Sequence, residues 1–297
     1  TTQAAPGSPL AAETLWRAYL ALGAGIVSIS CSAIFVRWAN APGAVTGIYR
    51  MLIAVIVLAF PFMRYVHRTG RLPRREVMIA LAAGLFFGGD LVFWNTGILI
   101  SGAATPTLMA NTAPIWVGLG AMVFFKEQLG RLFWFGLGLA MVGAAFILGA
   151  DISGSVGLGT MFGLIAGIFY AGYMLVMQRS REQLPALAAF WLACVSAMLL
   201  LLVVALVRGD PLTGYSMQTW AAFLGLGLIS QVFGQLLVSY SLGGLPASIV
   251  SPTLLGQPAL TAVLAIPLLG EIPTTWHVVG GVALLVGVYL VHRSRLH

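Results

Sequence analysis

The chain has 297 residues, of which 60% are hydrophobic and only 8% charged, with a net charge of +7. A soluble domain carries about 25% charged residues, so this composition excludes an ordinary soluble enzyme and places the chain in lipid. The positive balance raises nucleic acid as a partner, but the spread of basic residues along the chain excludes it, as shown below.

Residues Thr1 to Thr14 are polar and rich in Pro and Ala, and read as a disordered tail with no cleavable leader. After it, crossing the hydrocarbon takes about 20 predominantly apolar residues per helix. Ten segments meet that need: Trp16–Val36, Ala44–Met63, Val77–Ile100, Gly102–Phe125, Leu132–Gly149, Gly157–Met177, Leu187–Val207, Thr219–Leu242, Pro246–Leu269 and Trp276–Val291. Between them run short linkers with turn chemistry, such as Asn40-Ala41-Pro42-Gly43, Asp151-Ile152-Ser153-Gly154 and Gly209-Asp210-Pro211. None leaves room for a soluble domain.

Orientation follows from the basic residues. With the N-terminus in the cytoplasm, the Arg64–Arg75 cluster, Lys126, Arg131, Arg179, Arg181 and Arg293 all fall on the inner side. Only Arg37 and Arg208 fall outside, and Arg50 lies within a helix. The positive-inside rule accounts for this bias, so the net charge is a topology signal. Both termini are then cytoplasmic.

The chain also repeats itself. Pro114, Glu127, Gly136 and Gly143 recur as Pro258, Glu271, Gly280 and Gly287, each pair 144 positions apart, and Ala103, Ala121 and Val142 have mates at the same offset. Five helices in each half oblige the second half to enter from the opposite side. The sequence therefore predicts an all-α integral membrane protein of ten helices in two inverted repeats, residues 15–150 and 151–297, sharing a pocket near the midplane.

Ten helices in two halves, each ending in Pro-x12-Glu-x8-Gly-x6-Gly, resemble the EamA branch of the drug/metabolite transporter superfamily. Within it, Gly88-Gly89-Asp90-Leu91 and the aromatic content look most like the YddG-type aromatic amino acid exporters. The resemblance implies export of amino acids or other small metabolites across a bacterial inner membrane. It matches Arg50 to the family's Arg near the start of the second helix.

Polar residues inside the apolar segments are the candidate site, because a carboxylate at the centre of a membrane helix costs about 2.5–3.5 kcal/mol on insertion scales. Asp90 halfway along the third segment is either a substrate-ammonium or proton site, or a structural partner of Arg50. Trp94 lies one turn away on the same face and suits an aromatic substrate, or packing. Arg50, near the outer end of the second segment, either lines an external mouth, snorkels, or pairs. Asn111, Gln231, Gln235 and Gln257 offer both donors and acceptors to an amino acid, or tie helices together. Tyr170 and Tyr173 form a stripe with Met177, either wall or packing. Pro114 and Pro258 predict kinks that mark a hinge. Cys31 and Cys194 read as small core hydrophobes, and no His or Cys pair has metal-ligand spacing.

No catalytic set, phosphate loop or cofactor motif is evident. The expectation is a secondary transporter exporting aromatic or large apolar amino acids by alternating access, with a bilayer, a small-molecule substrate and a possible second copy as partners. Transport of another small metabolite is the alternative; the absent catalytic groups disfavour a membrane enzyme, and a scaffold or channel subunit would need neither the midplane Asp nor the duplication.

Overall fold

The computed structural model describes residues 9–101, 104–148, 157–269 and 275–294, and the elements among them are helices. The tail before residue 9, the Asp151–Gly154 linker and Glu271 lie outside the described residues. The first expected segment is two helices, α1 (Pro9–Ser30) and α2 (Ser32–Ala39), parted at Cys31; α1 starts inside the stretch read as tail. α3 (Gly43–Thr69) and α4 (Arg74–Ser101) are long. α5 (Ala104–Ala110) and α6 (Ala113–Phe124) divide the fourth segment, and α7 (Arg131–Ile147) follows. The second half holds α8 (Leu158–Arg181) and α9 (Ala186–Arg208), then α10 (Met217–Gly225), a π-helical segment (Leu226–Gln235) and α11 (Leu236–Ser241) end to end. α12 (Ala247–Leu254), α13 (Gly256–Leu269) and α14 (Thr275–Arg293) complete it.

Among the described residues, seven spans are long and apolar enough to cross a membrane, and Arg131–Ile147 and Val278–Arg293 are shorter apolar helices. Phe60, Val123, Val207 and Leu285 stand exposed on the outer faces. Those faces suit acyl chains, and the helices satisfy their own backbone groups, as lipid requires.

The repeat extends to the helix boundaries. α3 and α9, α4 and α10, α5 and α12, and α7 and α14 begin 143 or 144 positions apart. The interruptions after Ala110 and Leu254 are 144 apart. Packing follows the same exchange: α4 lies along α9 and α3 along the π-helical segment, while α6 meets α8 and α13 meets α1. α7 lies along α14, its own repeat mate.

That last contact explains the motif glycines. A Cβ added at Gly143 would sit 2.5 Å from the Gly280 carbonyl oxygen and 2.4 Å from the Leu284 nitrogen; one at Gly136 would sit 2.8 Å from the Gly287 oxygen. The start of α7 thus meets the end of α14 and the reverse, so the two helices run in opposite directions with their backbones touching. Only a residue without a side chain allows that approach. The Gly84/Gly88 and Gly163/Gly167 pairs serve the same purpose, bringing α4 onto α9 at Ala193 and Ala197, and α8 onto α5 at Pro106 and Ala110.

The kinks predicted at Pro114 and Pro258 are displaced upstream. The helix parts at Asn111–Thr112, where the Thr112 and Ile115 amides bond only three residues back, and at Leu255, whose amide bonds Pro252. Each proline then sits in the first turn of a new helix, where an N–H has no intrahelical partner to lose. Glu127, the motif carboxylate of the first half, accepts a hydrogen bond from Ser248 Oγ, and Gln178 Oε1 accepts one from the Ala247 amide at 2.6 Å. The start of α12 is therefore held by α8 and by the turn after α6.

Candidate functional site

Five elements deliver polar or aromatic side chains to one buried place. α3 brings Arg50 and Met51, α4 Phe87 and Asp90, α8 Tyr170 and Tyr173, α9 Cys194, and the π-helical segment Gln231 and Gln235. Arg50 Nε donates to Gln231 Oε1 at 2.6 Å. The amide nitrogen of Gln231 points between Met51 Sδ, at 3.3 Å, and Cys194 Sγ, at 3.6 Å. The guanidinium of Arg50 lies over the Phe87 ring, 6.0 Å from its centroid, and Phe87 stacks on Tyr173 at 4.6 Å. Asp90 is close enough to feel the charge of Arg50, yet among the described residues no ion pair joins them. The Tyr170 hydroxyl faces the Gln235 side chain.

The π-helical segment supplies the two glutamines. Such segments insert extra backbone into a turn and re-aim side chains, and they recur at functional sites. Gln231 and Gln235, four residues apart, share the site on π-helical rather than α-helical backbone. Gln235 Oε1 and the Tyr173 hydroxyl are buried without a hydrogen-bond partner. A buried polar atom left without a partner costs about 1–3 kcal/mol, so this arrangement is expensive for the protein alone.

Of the residues singled out from sequence, Arg50, Asp90, Tyr170, Tyr173, Gln231 and Gln235 come together. Arg50 is enclosed, only 9% exposed, and turned toward Gln231 rather than toward an open mouth. Trp94 is spent on a tie between α4 and α5, its indole N–H donating to Thr107 Oγ1 at 3.1 Å. Asn111 and Gln257 stand at the two helix interruptions. Ser30 Oγ, at the end of α1, donates to the Gln257 carbonyl at 3.3 Å, and Thr261 Oγ1 donates to the Ser30 carbonyl at 2.9 Å. α13 is thereby stapled to the place where α1 and α2 part.

Phe87, Met51 and Cys194 were not read as site residues. The repeat held the missing signal for two of them: Cys194 is the mate of Arg50, and Phe87 the mate of Gln231, at the offset of 144. Apolar residues in an apolar segment carry no mark of their own.

The EamA-like transporter family model matches residues 16–149 and, a second time, residues 157–293. The chain belongs to the EamA-like transporter family. It is a membrane transporter and not an enzyme. An uncharacterized transporter of Bacillus subtilis, YdfC, is 26% identical over 88% of this chain and 89% of its own. A probable terminal-alkyne amino-acid exporter of Streptantibioticus cattleyicolor is 27% identical over 74% of each chain. A probable amino-acid metabolite efflux pump of Salmonella typhimurium is 27% identical over 79% of this chain and 82% of its own. One solved crystal structure superposes with a TM-score of 0.77, covering 94% of this chain and 98% of its own at 16% identity, a likeness of fold.

Proposed function

We propose that this EamA-family transporter exports amino acids with aromatic or other large apolar side chains across a bacterial inner membrane. The observation that carries the reading is the convergence of Arg50, Asp90, Gln231 and Gln235 with Tyr170, Tyr173 and Phe87 between helices of both halves. Polar groups of both signs suit an amphipathic solute, and the aromatic wall suits its apolar side chain. The exporter names of the Streptantibioticus and Salmonella relatives support the amino-acid class.

The mechanism proposed is alternating access. Ten crossings in two inverted five-helix halves are supported by the matching helix boundaries, by the exchange symmetry of the packing, and by the opposed directions of α7 and α14. Rocking of the halves about the polar centre would expose it to each side in turn. The interruptions at Asn111–Thr112 and Leu255 are the proposed hinges, with Pro114 and Pro258 pre-setting the helices that follow.

Counterflow in proteoliposomes tests the reading. Labelled L-phenylalanine should accumulate against preloaded unlabelled L-phenylalanine and saturate; a flux that neither saturates nor exchanges would make the protein a channel or scaffold. Orientation is tested with single cysteines in a Cys31→Ala/Cys194→Ala background. Arg71→Cys and Gln183→Cys should resist an impermeant maleimide on intact cells, whereas Thr213→Cys should react. Labelling of all three from outside would end the inverted-repeat reading.

A further inference from the structure

Two ionisable side chains in the polar centre keep hydrogen-bonding capacity that the protein does not fill. Arg50 and Asp90 are each nine-tenths buried and come from different helices. Among the described residues, only the Nε of Arg50 has a hydrogen-bond acceptor, and the Asp90 carboxylate has no donor. If the pair were only structural, closing it into a salt bridge would offset the cost of burial. The fold instead holds the two near one another without contact. Beside them, Gln235 Oε1 and the Tyr173 hydroxyl are also unpartnered.

The guanidinium has little freedom. Its Nε is committed to Gln231, whose amide is in turn seated between Met51 and Cys194. One face lies over Phe87. What remains available is the edge carrying the two terminal nitrogens, a geometry that accepts a carboxylate through two parallel hydrogen bonds.

We propose that Arg50 receives the carboxylate of the transported molecule on this edge, that Asp90 faces its ammonium, and that Gln231 is the residue that positions Arg50. This rests on the exporter reading and names the ligand class: an α-amino acid in its zwitterionic form, not an amine or an amide. A zwitterion supplies both missing partners at once. The Gln235 oxygen gives the ammonium a further acceptor, and Tyr173 gives the carboxylate a further donor. The repeat mate of Arg50 is Cys194, so the second half offers no second cation. The substrate therefore binds in one orientation.

The test uses purified full-length protein in detergent, with L-phenylalanine, 3-phenylpropanoate, L-phenylalaninamide and phenethylamine as probes in thermal-shift titrations and as competitors in counterflow. For the wild type, L-phenylalanine should bind at least tenfold more tightly than its amide or than phenethylamine. Arg50→Gln should abolish that preference, Arg50→Lys should keep part of it, and Gln231→Leu should weaken L-phenylalanine binding several-fold with an unchanged size-exclusion profile. Equal binding of the acid and the amide by the wild type, or binding of none of the probes, overturns the proposal even if Arg50→Gln fails to fold. Carboxylate-dependent binding without counterflow would defeat the exporter reading and leave the site standing. Counterflow indifferent to the carboxylate and to Arg50 would do the reverse.

Discussion

At the α7–α14 seam Gly136 lies against Gly287 and Gly143 against Gly280, so each motif glycine meets a motif glycine of the other half. In the polar centre the same offset relates Arg50 to Cys194 and Phe87 to Gln231, and the four still touch in an exchange-related pattern: Arg50 bonds Gln231 and overlies Phe87, and Gln231 faces Cys194. The seam keeps both position and residue type. The centre keeps the positions and changes the chemistry. Where backbones touch there is one permissible side chain, none at all, and both copies must keep it. Where side chains meet, two copies of Arg50 would oppose like charges in a low-dielectric space; the mate of Arg50 is the thiol Cys194. Duplication thus accounts for the frame, and divergence at four mated positions gives the site its polarity.

The strongest way to break the comparison is at the seam. Gly143→Val should cost about 3 kcal/mol or more, because overpacking against backbone leaves nothing that can give way. Loss of monodisperse protein or a sharply lowered melting temperature would register it, and a normal melt would show that α7 and α14 do not touch. At the centre, Asp90→Asn should lower counterflow and net flux together by about tenfold, the equivalent of about 1.4 kcal/mol. Counterflow that survives while pH-driven uptake vanishes would instead make Asp90 a proton carrier.

Weaker changes sharpen the contrast. Cys194→Ala should leave transport within about twofold of wild type, since a thiol is a weak acceptor and the charge lies on its mate. A large loss would move the working chemistry onto the second half. Trp94→Phe removes only the indole bond to Thr107 and should cost about 1 kcal/mol of stability in a melt, with substrate affinity unchanged. Gly138→Ala, two residues from Gly136 but facing open space, should be neutral or stabilising by under about 1 kcal/mol. A destabilisation as large as that of Gly143→Val would mean the clash at the seam is not what matters.

Much of this was legible in the amino-acid order. A charged or amide side chain in an apolar run is conspicuous because lipid makes it costly, and that alone pointed to Arg50, Asp90, Gln231 and Gln235. The duplication was equally plain, because Pro, Glu and Gly keep their spacing. Less visible were the parting of α1 and α2 at Cys31, whose repeat position in α8 is unbroken, and the π-helical backbone under the glutamines, whose repeat position in α4 is regular helix. Such departures from α geometry depend on what each helix packs against.

The sequence by itself determined the solvent this chain lives in, its helical segments, and the doubled frame, because hydrophobicity and spacing are properties of a single stretch. Only the tertiary structure decided what the polar residues face. The Arg50–Gln231 bond spans 181 positions, and the seam glycines acquire their meaning only when α14 returns against α7. A guanidinium's partner is set by which helices lie within a few ångströms of it, and no local pattern carries that distance.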